Sequence, residues 1–284
     1  MTDELLRPFR DKIRGRTPAP RTSEARPAST QDEVPADAVL IREVRLGLFP
    51  EASSLHPGFV PGIPRVRLTL DLGAHLRRRP VPIYPEGREA LLDLCPRLLE
   101  HDCGAGDEIR LLLATDGTGS AGVPTAGPDG DERDGLHVAH LIEHVAIEMI
   151  VGVSGVPRCS GVTCAHRNRL DRFDIFLESV DPLAGRAAAV LAAAVVRDMC
   201  LRRAGRLALH RRCRNLLAHL SCSGAVSVVA EDTAVNLGCG PEEALQVLEE
   251  LVRLGYLTAA PSPYLFSSTA GVLFRRAAAE LGDA

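Results

Sequence analysis

The residues His140-Leu141-Ile142-Glu143-His144 carry the spacing best suited to chemistry, H-x-x-E-H. On an α-helix, residues four apart differ by about 40° in azimuth and about 6 Å in rise, so both imidazoles can address one point. Neutral imidazoles are good ligands for Zn2+, at about 2.0–2.1 Å. Glu143 falls on the neighbouring face, beside an ion held by His140 and His144 rather than beneath it. From there a carboxylate can take a proton from water that the ion acidifies, and later give it back. The chemistry indicated is metal-dependent hydrolysis, with Zn2+ as cofactor, His140 and His144 as ligands and Glu143 as the catalytic base.

The flanking residues sharpen this reading. Val138, Ala139, Leu141, Ile142, Val145 and Ala146 make the segment apolar nearly all round, which predicts a buried helix over His137–Val151. Two histidines and a carboxylate buried together need partners, and a metal would satisfy all three. The plainer alternative is a helix with two surface histidines and a solvated glutamate. A catalytic site needs a further protein ligand, and a carboxylate from a separate element suits a His2Glu set. Glu178, on the expected strand Arg172–Val180, is preferred. It shares a strand face with Asp174 and Phe176, opposite Phe173, Ile175 and Leu177. Glu148 rises about 12 Å from His140, too far to join one ion, so it is assigned a supporting role, with an ordinary ion pair as the equal alternative. His137, one turn before His140, is read as a cap or supporting residue. Arg158 and Arg167, with Arg169 nearby, are candidates for binding substrate carboxylates or an oxyanion; a solvated loop is the equal alternative. Cys159, Cys164 and His166 form C-x4-C-x-H, which reads better as buried thiols in a turn than as a zinc knuckle.

These residues need elements to position them. Val66, Leu68 and Leu70 alternate with Arg67, Thr69 and Asp71, the period of a half-buried strand. Glu86–His101 has an apolar stripe of Leu91, Leu94 and Leu98, with Pro96 placed to kink or divide the helix. Ile109–Ala114 reads as a strand and Thr115–Gly135 as a long surface loop, without a phosphate-binding glycine pattern. Pro182–Ala204 is an Ala-rich helix able to pack closely on a sheet. The expected class is α+β: a layered sheet-and-helix domain over 39–204, after a disordered Pro- and Arg-rich tail over 1–38. A winged-helix-like domain follows over 205–284. Its expected helices are Arg206–His219, Ser227–Asn236 and Glu242–Leu254, with Gly255 ending the last and a hairpin over Tyr256–Ser268.

Composition narrows the class. Of 284 residues 45% are hydrophobic and 25% charged, which suits a folded chain rather than a disordered one. The net charge of -4 and the lack of Trp argue against a general nucleic-acid binder. The expected recognition helix carries Glu242, Glu243, Glu249 and Glu250 against Arg253 alone, which phosphates would repel. The longest apolar run noted, Ala187–Val196, is about half a bilayer span, so no membrane segment is expected. Met1–Arg10 lacks the apolar stretch of a signal peptide, and the scattered cysteines read as reduced thiols, so a cytoplasmic setting is expected.

The H-x-x-E-H spacing resembles that of inverzincin metallopeptidases. The run GLHVAHLIEHVAIEM from Gly135 to Met149 also resembles the GHVxEHVALEL segment of the N-terminal domain of cyanophycin synthetases. Leu98–Cys103 is similar to that domain's L-x-E-H-x-C-S, and Val66–Gly73 to its V-D-L-G strand. Arg172–Gly185, with Glu178, resembles its V-V-x-E-Y strand and the Ala-Gly-Arg helix that follows. The likeness spans roughly residues 44–204. It implies a zinc-peptidase-like centre that trims polymer, with His140, Glu143 and His144 in the roles of that family's motif and Glu178 aligned with its strand carboxylate. The sequence departs from the family in the PRCSGVTCAHRN stretch and the Thr115–Gly135 insertion, and holds no counterpart of the polymerising ATP-grasp and Mur-ligase-like domains.

The expectation is therefore a stand-alone metal-dependent peptidase or amidohydrolase with a peptide or polyamide substrate. The alternative is a non-catalytic adaptor that keeps a structural or vestigial metal and recruits a protein partner. In either case residues 205–284 are expected to serve a protein contact or homodimer rather than nucleic acid.

Overall fold

The computed structural model of the protein describes residues 38–77, 85–100, 136–261 and 272–277. The expected tail before Ala38, the strand Ile109–Ala114 and the loop Thr115–Gly135 lie outside those residues. The fold is α+β, as expected.

Four strands form the main sheet: β1 (Val39–Gly47), β2 (Arg65–Leu72), β3 (Gly161–His166) and β4 (Arg169–Glu178). All pair antiparallel, in the order β1-β2-β4-β3. The alternation of side chains along β2 and β4 sorts them cleanly. Val66, Leu68 and Leu70 stand opposite Leu177, Ile175 and Phe173, and all six are fully buried on one face. Their neighbours Arg65, Arg67, Thr69 and Asp71 stand opposite Glu178, Phe176, Asp174 and Arg172 on the other.

The apolar face is covered by two long helices, α3 (Leu136–Ser154) and α4 (Pro182–Cys200). The Asp181 carboxylate accepts from the Ala184 N–H at 3.2 Å, and Pro182 occupies the first turn, so α4 starts where the sequence signals a start. Gly155, at φ 65, takes the left-handed backbone that ends α3. The shorter helices are α1 (Pro50–Leu55) and α2 (Pro85–Leu94). Pro96 divides the expected Glu86–His101 helix: α2 stops at Leu94, and a single 3-10 turn, Leu98–Glu100, follows.

The polar face is as well ordered as the apolar one, so β2 is buried on both sides rather than half-buried as its alternation predicts. Phe49, Ala52, Phe59 and Phe176 make a small cluster over one end. Over the rest, ion pairs replace apolar cover. The Arg172 Nε and Arg42 Nε groups each lie 2.6 Å from the fully buried Asp71 carboxylate. Asp174 accepts from Arg67 at 2.7 Å and from the Thr69 hydroxyl at 2.6 Å.

After α4 the chain forms α5 (Ala204–Ser223), α6 (Ala230–Leu237) and α7 (Pro241–Arg253), with a three-stranded antiparallel sheet. Its strands are β5 (Ser227–Val228), β6 (Leu257–Pro261) and β7 (Val272–Arg276), in the order β5-β7-β6. Gly255, at φ 76, ends α7 as the sequence indicates. The expected hairpin over Tyr256–Ser268 is corrected. The strand returning against β6 is Val272–Arg276, with Leu257 opposite Arg276 and Pro261 opposite Val272. One hydrophobic cluster runs from the main sheet through α3 and α4 into Leu207, Leu216 and Leu220 of α5 and Leu245, Leu248 and Leu251 of α7. Asp181 ties the two regions further, accepting from Arg276 at 2.5 Å and from Ser221 at 3.2 Å.

Asp71 supplies a test of the polar face. Burial acts to raise its carboxyl pKa, but the hydrogen bonds and charges of Arg172 and Arg42 outweigh it and hold the group below its ordinary value of 3.8. Its stabilisation is therefore complete above that value and lost as pH falls below it. Asp71→Asn should cost about 3–5 kcal/mol at pH 7, because it leaves guanidinium groups unpaired against the sheet. The gap to wild type in urea unfolding should shrink as pH falls below 3.8; a gap independent of pH would contradict the assignment.

Candidate metal centre

The site is built on α3. This helix is long and apolar enough to meet the length and composition of a membrane span, so it, rather than Ala187–Val196, is the most span-like segment among the described residues. Most of that length is buried inside the fold and it carries three histidines and two glutamates, which fits a core helix.

His140 and His144 lie one turn apart with their Nε2 atoms 3.1 Å from each other and their ring centroids 4.7 Å apart. A carboxylate oxygen of Glu143 completes the group, and the three ligand atoms all lie within 4.8 Å of one another. Glu143 and His144 are buried, whereas His140 is partly exposed, so the group opens towards solvent on the His140 side. Two nitrogens 3.1 Å apart, each about 2.0–2.1 Å from a shared ion, would subtend about 100° there, close to a tetrahedral angle. The donor set thus fits a divalent ion without moving the helix.

The floor of the site is β3, which pairs with β4 and packs against α3. The Thr163 hydroxyl donates to Glu143 Oε2 at 2.6 Å. Two residues earlier on the same strand face, Gly161 leaves room for the other carboxylate oxygen. A Cβ there would sit 3.0 Å from Glu143 Oε1, from Ile147 Cδ1 and from Leu177 Cδ2. Neither Thr163 nor Gly161 was singled out from the sequence, because β3 is short and its residues read as a turn. The one signal available was the Gly-x-Thr spacing, which puts both on one face of any strand.

Glu178 is not brought to the imidazoles. Gly161 and Thr163 stand opposite Leu177 and Ile175, so the strand face towards α3 is the apolar one. Glu178 belongs to the alternate set, on the face of Phe176 and Asp174. Its carboxylate accepts from the Val60 N–H on that side. Alternation along β4 therefore excludes it as third ligand, for the same reason that Leu177 faces the helix. Glu148 is buried and accepts from the Arg97 N–H at 3.2 Å, anchoring the turn after α2 onto α3. His137 lies in the first turn of α3, partly buried and outside the converging group. Arg158, on the connection from α3 to β3, and Arg167, at the β3–β4 turn, are both exposed. Arg169 is committed to Asp171 at 2.9 Å and Asp71 at 3.6 Å.

The cysteines do not form a knuckle. Cys159 donates to the Glu178 carbonyl at 3.1 Å, and burial, then the charges of Glu178 and Glu143, push its thiol far above the ordinary range. Cys164 sits in β3 rather than in a turn, on the far face opposite Asp174. Burial, then Asp174 and Glu143, raise its thiol too. His166 lies 3.0 Å from Asp174. Among the described residues every cysteine is a free thiol, and His140, Glu143 and His144 are the one group placed to hold a metal.

No protein-family model matches this chain, and no curated protein matches its sequence. The case for function rests on the site.

Removing either imidazole tests the geometry directly. His140→Ala and His144→Ala should each abolish stoichiometric Zn2+ uptake in equilibrium dialysis, while Glu178→Gln leaves it within about threefold of wild type. Loss of uptake in the Glu178 variant would restore that residue as a ligand.

Proposed function

We propose that the protein is a zinc-dependent hydrolase cleaving the amide bonds of a peptide or polyamide. The observation that carries this reading is the convergence of His140, Glu143 and His144, with the imidazole nitrogens 3.1 Å apart and a buried carboxylate beside them. A structural site is normally closed by four protein ligands, whereas here two imidazoles open towards solvent at His140. The likeness of Gly135–Met149 to the cyanophycin synthetase N-terminal domain points to a polyamide among possible substrates.

When bound, a divalent ion supplies Lewis acidity, polarising the carbonyl and favouring attack by water. His140 and His144 would hold it through their imidazole nitrogens. Glu143 takes a proton from the attacking water on its carboxylate, whose Oε2 is held by the Thr163 hydroxyl. It returns that proton to the leaving nitrogen as the C–N bond breaks, so one amide and one water give a carboxylic acid and an amine. Burial of Glu143 and His144 keeps bulk water from competing for these groups.

The second reading, a non-catalytic adaptor with a vestigial metal, draws on the fact that, among the described residues, no ligand joins His140, Glu143 and His144. Glu143→Gln separates the two. Under the hydrolase reading the variant retains Zn2+ and loses about 10²–10⁴-fold in cleavage of a polyamide or a denatured protein substrate. A zinc-loaded wild type that releases no new amines from either substrate would favour the adaptor.

A further inference from the structure

We propose that Thr163 is a positioning residue that keeps the Glu143 carboxylate off the metal, so that Glu143 remains a base instead of becoming a ligand. The inference rests on the metal-hydrolase reading above and deepens it.

The problem it solves is one of proximity. A carboxylate oxygen of Glu143 lies within 4.8 Å of both imidazole nitrogens. Carboxylates are themselves good ligands for the ions that imidazoles bind. A glutamate this close, on a side chain with three rotatable bonds, would be drawn onto a divalent cation unless something restrained it. Once coordinated, its lone pairs would be committed to the ion and could not accept a proton from water.

The restraint comes from a different element. The Thr163 hydroxyl donates to Glu143 Oε2 at 2.6 Å, within the range of strong bonds to carboxylates. Thr163 cannot follow the carboxylate, because its backbone is fixed in β3 opposite Ile175, and a β-branched side chain is stiff at χ1. Gly161 sets the other boundary. The space that a Cβ would occupy is bordered at 3.0 Å by Glu143 Oε1, Ile147 and Leu177, so the second carboxylate oxygen also lies beside the strand. The helix therefore fixes the two imidazoles, while the strand fixes the carboxylate.

The sign of the effect on metal affinity distinguishes a restraint from a support. Removing a group that orients a ligand typically weakens metal binding about 10–100-fold. Removing a group that withholds a ligand should strengthen it. The test uses the full-length chain, stripped with chelator and titrated with Co2+ by visible absorption, with affinities from chelator competition. Thr163→Val should bind Co2+ about tenfold more tightly than wild type, with weaker d–d bands as the carboxylate raises the coordination number. Thr163→Ser keeps the hydroxyl and should match wild type. Thr163→Val combined with Glu143→Ala should lose the gain, since no carboxylate remains to swing. Thermal unfolding verifies that each variant is folded, and Thr163→Ala replaces the valine variant if that one is not.

Unchanged spectra and affinity in Thr163→Val, or weakening of the 10–100-fold kind, would overturn the restraint while leaving the metal site standing. Failure of the wild type to take up Co2+ or Zn2+ would instead remove the metal site and the restraint together.

Discussion

The constraint on which the rest depends is the packing of α3 against the apolar face of the main sheet. A strand offers its side chains to two faces in strict turn. Once Val66, Leu68 and Leu70 and their partners Phe173, Ile175 and Leu177 commit to one face, the identity of every side chain that can approach α3 is decided. Only two β3 residues that face this helix bear on Glu143: a glycine, which offers room, and a threonine, which offers a proton donor. Asp174 and Glu178 of β4 are sent the other way, where Asp174 pairs with Arg67 and Glu178 accepts the Val60 N–H. The fold thus separates the His140, Glu143 and His144 group on one face from a structural ion-pair network on the other.

That separation explains how a helix carrying three histidines and two glutamates can be so deeply buried. Burying ionisable groups is costly unless each finds a partner. Glu148 accepts a backbone N–H from the turn after α2, and Glu143 accepts the Thr163 hydroxyl. The imidazoles face each other across 3.1 Å, a distance that suits a shared proton or a shared cation.

Much of this was legible in the chain. The apolar run around His140 announced a buried helix, Pro182 opened the expected Ala-rich helix, Pro96 marked a break, and the H-x-x-E-H spacing brought both imidazoles to one side. The third-ligand choice failed on a point the sequence already contained. Glu178 alternates with Phe173, Ile175 and Leu177, and a helix as apolar as α3 must pack on those residues, so Glu178 had to face away. β3 was hidden for a different reason. Six residues with a glycine, a threonine, a cysteine and a histidine have no strong propensity, and their strand form is imposed by pairing with β4. The returning strand of the C-terminal hairpin was misplaced because Pro261-Ser262-Pro263 resembles a tight turn, whereas β7 begins at Val272.

The unbroken core has a consequence for dissecting the molecule. Helix α5 fills the same hydrophobic cluster as α3 and α4, although it begins where the sequence suggests a new unit. Cutting the chain between α4 and α5 would leave Ala-rich and leucine surfaces of the layer that carries His140 and His144 facing water, and would sever the anchor from Arg276 to Asp181. A truncated protein would report on exposed core as much as on missing partners. Surface changes within α6, where Val235 is 82% exposed, leave that core covered and are the sounder way to ask what the C-terminal region touches.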